Sequence, residues 1–380
     1  MSNVFRGKGS PEMREEYLDF INYVFGFNGH DSDFLKLLPK LYKAEYHPCE
    51  KNYIVTEDGK LKAAIGAYDS VLDVAGETLK MRGIGNVAVH PYCRSKGYMI
   101  DCMERALHDM VEDGCDLSML GGQRQRYMYF SYDAGGPEYC FSINGTNMRH
   151  NFRDVPLTEM DFVKIGEEDT ELLGKIIALH NTRPLKTIRE DSMFLDIARS
   201  WSSDLYAILK DDGTFAGYFI GALKELTLVD NGDFNHVIRN YVRQNGSINL
   251  GLPMWDRELI DAAFKICESV SAENSEHFTI FHYQKVISAF LKFKASFESL
   301  ADGECKLYIH GYAGDEKLRI AVKDNIPSVE PFEGEADMEL SHLDAFSLLF
   351  GICSVRRDRL SPAARNWFPL PLYIDSADHV

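Results

Sequence analysis

The chain has 380 residues, 45% of them hydrophobic and 26% charged, ordinary for a globular protein and too long for one typical core, so two or three domains are expected. Lys and Arg number 41 against 58 Asp and Glu, a formal charge of −17; nucleic acid and anionic membrane, which need a clustered basic face, are poor partners, while the charge is compatible with a cationic substrate and equally with solubility alone. No apolar run approaches the roughly 20 residues of a membrane span, and the N-terminus lacks a signal-peptide core. The eight cysteines (49, 93, 102, 115, 140, 267, 305 and 353) form no C-x-x-C pair and read as reduced thiols of a cytoplasmic protein. The twelve histidines show no H-E-x-x-H spacing, so no metal is expected.

Elements follow in chain order. Pro11 opens an amphipathic helix with Tyr17, Phe20, Ile21 and Val24 on one face. Strands at 52–56 and 60–68 flank the turn Glu57-Asp58-Gly59, and further strands cover 71–73 and 81–89, where Gly83 and Gly85 signal a bulge or a close backbone approach. A helix with Met99, Ile100, Met103, Leu107, Met110 and Val111 on its apolar stripe ends at Gly114, before short strands at 117–120 and 139–143. A second segment, 149–280, gives helices at 172–180, 233–243 and 257–270, a hairpin around Asp211-Asp212-Gly213 and a strand at 248–252. A third, 281–380, gives a helix at 286–297, a strand pair around Gly314-Asp315, a strand at 337–340 and a helix at 343–350. Its end, Trp367 to Ile374, is apolar and proline-stiffened; exposing so much apolar surface is costly, which predicts a C-terminus tucked into the body.

Residues 87–132 carry the chemistry. The strand Val87-Ala88-Val89 runs into His90-Pro91, then Arg94-Ser95-Lys96-Gly97-Tyr98-Met99 and the helix. Unpaired amides at a helix start, the helix dipole and the charges of Arg94 and Lys96 suit a pyrophosphate. The aromatic run Tyr127-Met128-Tyr129-Phe130-Ser131-Tyr132 follows the strand at 117–120.

This order resembles the GNAT superfamily of N-acetyltransferases, whose pyrophosphate turn reads R/Q-x-x-G-x-G/A. Arg94 and Gly97 match its first two fixed positions, and Met99 stands where Gly or Ala is usual. Over nearly the whole length the chain looks like the enhanced-intracellular-survival (Eis-like) type. The resemblance implies an α/β (α+β) fold: a catalytic acetyltransferase domain over 1–148, a degenerate second copy over 149–280 without the turn, and a sterol-carrier-protein-like domain over 281–380. It further implies acetyl-CoA as co-substrate, held at Val87, Ala88, Val89, Arg94, Ser95, Lys96, Gly97, Tyr98 and Met99. The acceptor would be a primary amine of an aminoglycoside- or polyamine-like small molecule, and the assembly a homohexamer. Tyr127 falls where the family has its general acid, three residues before Phe130-Ser131-Tyr132 where the family has F-G-Y, and the carboxylate of Val380 falls where it has its general base. Asp375 and Asp378 read either as added negative field for a polycation or as solvated turn residues. Two other readings stand beside this one: a binding protein holding a lipid or apolar ligand in the third domain, and an acetyltransferase acting on protein lysines.

Overall fold

The computed structural model describes residues 3–27, 29, 32–46 and 48–380; Met1 and Ser2, the first residues of the N-terminal stretch, lie outside them. Two tight turns organise the start of the first sheet. Asp58 and Gly59 join β2 (Asn52–Glu57) to β3 (Lys60–Val74), and Ala75 and Gly76 join β3 to β4 (Glu77–Val89). All four turn residues have positive φ (49°, 77°, 51° and 93°), which matches hairpin turns to strand twist. β1 (Val4–Lys8) lies outside β2. Two separate strands were expected over 60–73, but β3 is one strand of 15 residues. Asp69, at the expected break, is held by Arg82 at 2.5 Å and Lys51 at 2.6 Å, which keeps the ladder to β4 intact.

β5 (Leu117–Leu120) runs parallel to β4, pairing only from Met81↔Leu117 to Ile84↔Leu120. β6 (Asp133–Asn144) follows. Next come β7 (Met160–Lys164), the short β8 (Leu185–Thr187), β9 (Leu205–Lys210), β10 (Phe215–Ile220) and β11 (Glu225–Leu228), with β7, β9, β10 and β11 forming an antiparallel sheet in the order β11-β10-β9-β7. β12 (Ser247–Pro253) and β13 (Ser269–Ile280) then return to the first sheet, whose order is β1-β2-β3-β4-β5-β13-β6-β12, with β8 on β3. The division at 148 therefore follows the chain but not the sheet. The helix expected over 257–270 stops at Phe264. The run Ser269 to Glu276 is strand instead, because β6 leaves backbone groups to be paired along it, and only the end of β13, His277–Ile280, also pairs with β5.

The third sheet is β16-β15-β14-β17, made of β14 (Gly303–His310), β15 (Asp315–Lys323), β16 (Ile326–Pro331) and β17 (Met338–Ser341), with β14 and β17 parallel. Its core is continuous with the first sheet: Leu307, Ile309, Phe346 and Trp367 belong to one buried cluster with Leu72, Leu79, Met81 and Met119. The apolar face of the third segment is thus covered from within the chain. Helix Tyr98–Glu112 buries Cys102, Met103, Ala106, Leu107 and Met110 against the other face of the first sheet, and Ile100, expected on that stripe, points out.

The tucked C-terminus is observed. Two buried lysines grip its backbone. Lys294 Nζ donates to the carbonyls of Asn366, Trp367 and Pro369 (3.2, 3.2 and 3.1 Å), and Lys40 Nζ donates to those of Ala377 and His379 (2.6 and 2.5 Å). Burial pulls Lys294 down to about 8 and Lys40 to about 7, the latter despite Asp378 beside it. Asp375 and Asp378 are not solvated turn residues but buried ion-pair partners. Asp375 accepts a bidentate pair from Arg183 (2.7 and 2.9 Å), and Asp378 one from Arg189 (2.9 and 2.8 Å). Arg189 also pairs with Glu225 (3.0 and 2.6 Å). Asp375→Asn leaves Arg183 with Glu225 alone, at 3.4 Å, and should cost about 3 kcal/mol in chemical denaturation; a loss under about 1 kcal/mol would mean the tail is held without it.

Candidate active site

β4 and β5 part after Ile84 and Leu120, so residues 85–89 of β4 have no pairing on the β5 side. The same stretch is bulged. Between Ala64↔Ala88 and Gly66↔Gly85, two steps on β3 face three on β4, with Asn86 at φ 53°. Bulges re-aim a strand beside active sites. Asn86 is a residue that tolerates this angle, and its amide is held by the hydroxyls of Tyr42 and Tyr68.

Two cavities open from this split. One, of about 530 Å³, is lined by Val87, Val89, Arg94, Ser95, Gly97, Tyr98 and Met99, with Val24, Cys93, Ile100 and Arg126. Gly97 sits at φ 79° before helix Tyr98–Glu112 and caps it with no side chain, which leaves the first amides of a 15-residue helix open to an anion. Arg94 is exposed and forms no ion pair among the described residues. Lys96 is different: it pairs with Glu57 at 2.8 Å, and the Tyr98 hydroxyl donates to the same carboxylate. Its charge is neutralised outside the cavity. Ala88 also lies off the lining, fully buried against helix Arg14–Gly26. Met99 opposes nothing that an anion needs, because the donors are backbone amides.

The second cavity, about 750 Å³, meets the first at Val87 and Arg126 and contains both Tyr127 and Val380. Helix Arg124–Tyr127 delivers the tyrosine, and Ser131 at φ 67° turns the chain after it, doing with a serine what a glycine does more easily. Of the neighbouring aromatics, Tyr132 is fully buried with its hydroxyl 2.7 Å from Ser118 Oγ, and Tyr129 is 69% exposed. Tyr127, 5% exposed, is the tyrosine that lines the cavity. Burial raises its hydroxyl above the usual phenol value and the Arg126 guanidinium opposes the rise, so the proton is retained at neutral pH.

Val380 reaches this place across Gly83 and Gly85. A Cβ on Gly85 would stand 2.7 Å from the Val380 carbonyl carbon, and one on Gly83 would collide with its side chain. The close approach read from these glycines is an approach by the chain's own last residue. Four further lining residues gave no sequence signal: Glu276 from β13, His379 from the tail, and Trp201 and Lys224 from the second segment. Trp201 Nε1 donates to the His379 carbonyl at 2.8 Å, and His379 Nδ1 lies 3.2 Å from Glu276. Among the described residues no cluster of three or more His, Cys, Asp or Glu is arranged to hold a metal ion.

A split β4–β5 pair, a glycine turn at a helix start below it and a tyrosine at the junction of two cavities stand together in the first segment. Residues 8–135 match the family model described as an acetyltransferase (GNAT) domain. Among solved structures, a conserved protein of unknown function from Enterococcus faecalis, described as a probable N-acyltransferase, is similar at 18% identity and TM-score 0.64, covering 92% of this chain and 90% of its own. A GCN5-related N-acetyltransferase from Kribbella flavida aligns over 100% of this chain and 99% of its own, at 14% identity and TM-score 0.62. Eis1 from Mycobacterium abscessus aligns over 97% of each chain at 12% identity and TM-score 0.64. These likenesses are of fold. No curated protein sequence matches the chain.

Burial alone would raise the Glu276 carboxyl, but hydrogen bonds from His277 and His379 outweigh it and hold the group at about 2. In an unfolded chain the value is about 4.3. Ionised Glu276 therefore stabilises the fold fully above that value, and the contribution is lost as pH falls toward 2. Glu276→Gln should flatten the dependence of Tm on pH across this acid window; an unchanged slope would place the effect in other carboxylates.

Proposed function

We propose that the protein is an acetyl-CoA-dependent N-acetyltransferase acting on a primary amine of a cationic small molecule, in a tandem Eis-like arrangement that assembles as a homohexamer. The observation carrying the proposal is that Tyr127 and Val380 line one cavity, which meets the phosphate-turn cavity at Val87 and Arg126. The fit for the co-substrate rests on the open amides after Gly97, the unpaired Arg94 and the unpaired edge of β4. When bound, acetyl-CoA supplies the activated thioester carbonyl.

The chain's own residues supply the rest. A primary ammonium has a pKa of about 10 and must lose a proton before its nitrogen can attack. The Val380 carboxylate holds the ammonium and accepts that proton directly or through water. Backbone amides of Val87 to Val89 are candidates to polarise the thioester oxygen, a role in which fixed dipoles act without reorganisation. Tyr127, kept protonated by burial, donates its proton to the departing sulfur. Glu276 adds a second carboxylate to the acceptor cavity, and Trp201, Phe25 and Phe34 add aromatic walls suited to a cation. The lipid-binding reading is weakened because the apolar side chains facing inward from the third sheet and its helices, among them Leu307, Ile309 and Phe346, are enclosed in a core shared with the first sheet.

Free thiol released from acetyl-CoA, followed across spermidine, aminoglycosides and lysine peptides, is the direct test; no turnover with any amine would overturn the proposal. Tyr127→Phe should lower kcat by about 100-fold or more while leaving acetyl-CoA binding by calorimetry unchanged. An unaltered kcat would remove Tyr127 as the acid. A short extension after Val380 should abolish turnover with Tm preserved, and full activity in that fusion would rule out the terminal carboxylate as base.

A further inference from the structure

The two halves of Val380 face different spaces. Its carbonyl end lies against Gly85, which lines the 750 Å³ acceptor cavity, whereas its side chain lies over Gly83, which does not. Behind the side chain is another cavity of about 200 Å³, whose wall includes Gly83, Met119, Thr187, Glu190 and Met193. Among the described residues, Val380 is the one lining residue that the front and rear cavities share. At this point Val380 stands between them, with its isopropyl group against Gly83 of the rear wall.

We infer that the Val380 side chain is the floor of the acceptor cavity and sets how long an amine the site accepts. The inference rests on the acetyl-transfer reading, and under it the final residue acts twice. Its carboxylate serves the reacting nitrogen while its side chain limits depth. Tail position is fixed by Lys40 on the Ala377 and His379 carbonyls and by Arg189 on Asp378, so the floor is rigid. A rigid wall discriminates by steric exclusion, where one methylene changes kcat/KM by about tenfold or more. The rear cavity's wall carries the carboxylates of Asp69, Glu190 and Asp378 and the cations of Lys40 and Arg189, beside apolar Met119 and Met193. It would take the far end of a linear amine, ammonium-tipped or not.

Linear monoamines and α,ω-diamines of increasing chain length are the probes, with kcat/KM measured for each. Val380→Ala keeps the carboxylate and opens the floor. The expected result is a shift of the length optimum to longer amines, with the long-to-short ratio of kcat/KM rising at least about tenfold. Met193→Trp, which fills the rear cavity, should leave the length profile of the parent unchanged and cancel the gain when combined with Val380→Ala. An unshifted profile in Val380→Ala, or a gain that survives Met193→Trp, overturns the inference. A crystal structure of Val380→Ala gives a readout independent of turnover: joined cavities support the floor, and a wall closed by Met119 or Met81 overturns it. Failure of the parent protein to acetylate any amine would instead strike the acetyl-transfer reading, and the crystal structure would still decide the floor.

Discussion

A set of buried charges fixes residues 375–380, and the shape of the 750 Å³ cavity they line depends on it. Arg183 and Arg189 hold Asp375 and Asp378, Glu225 crosslinks the two arginines, and Lys40 ties down the backbone on either side of Asp378. Such pairs cost desolvation, and apolar side chains of the same volume often stabilise as well or better. What they add here is a single geometry. Bidentate guanidinium–carboxylate contacts specify direction as well as distance, so a segment with almost no regular structure beyond a single turn at Ser376–Asp378 is held in register across two glycines of β4.

The second segment has no phosphate turn of its own, and the structure gives a physical account of its place. Arg183, Arg189 and Glu225 come from it, as do Trp201 and Lys224 on the cavity wall. Local balance at the site also differs from the overall charge of −17. Glu276 and the carboxyl end of Val380 share the cavity with Arg126 and Lys224. The global field concentrates cations near the molecule, whereas these four groups set both signs of charge side by side on the cavity wall.

What could be read in the sequence was what depends on neighbours in the chain. Arg94, Gly97 and Tyr127 fall within a strand–turn–helix–strand unit whose geometry is set locally, and all three line the cavities. Gly83 and Gly85 signalled a close approach, but nothing in their surroundings could say by what. Lys96 looks like a phosphate ligand in the sequence because its partner, Glu57, lies 39 residues away. Asp375 and Asp378 mislead for the same reason, since solvated and ion-paired aspartates look alike until Arg183 and Arg189 are placed beside them. Glu276 was hidden further: it lies in the polar stretch of its strand, Glu273 to Glu276, and is strand because β6, distant in the chain, pairs with it.

That central strand has a consequence for how the molecule is made. β13 sits between β5 and β6, pairing Phe278 with Met119 on one edge and with Asp133 on the other. During synthesis the first half of the sheet leaves the ribosome with a gap at its middle, and the gap stays open until residue 280 has emerged. Contacts so distant in the chain slow folding and leave strand edges available for wrong pairing in the interval. Dividing the gene after residue 148 would make that interval permanent, so the minimal folding unit spans at least the first two segments.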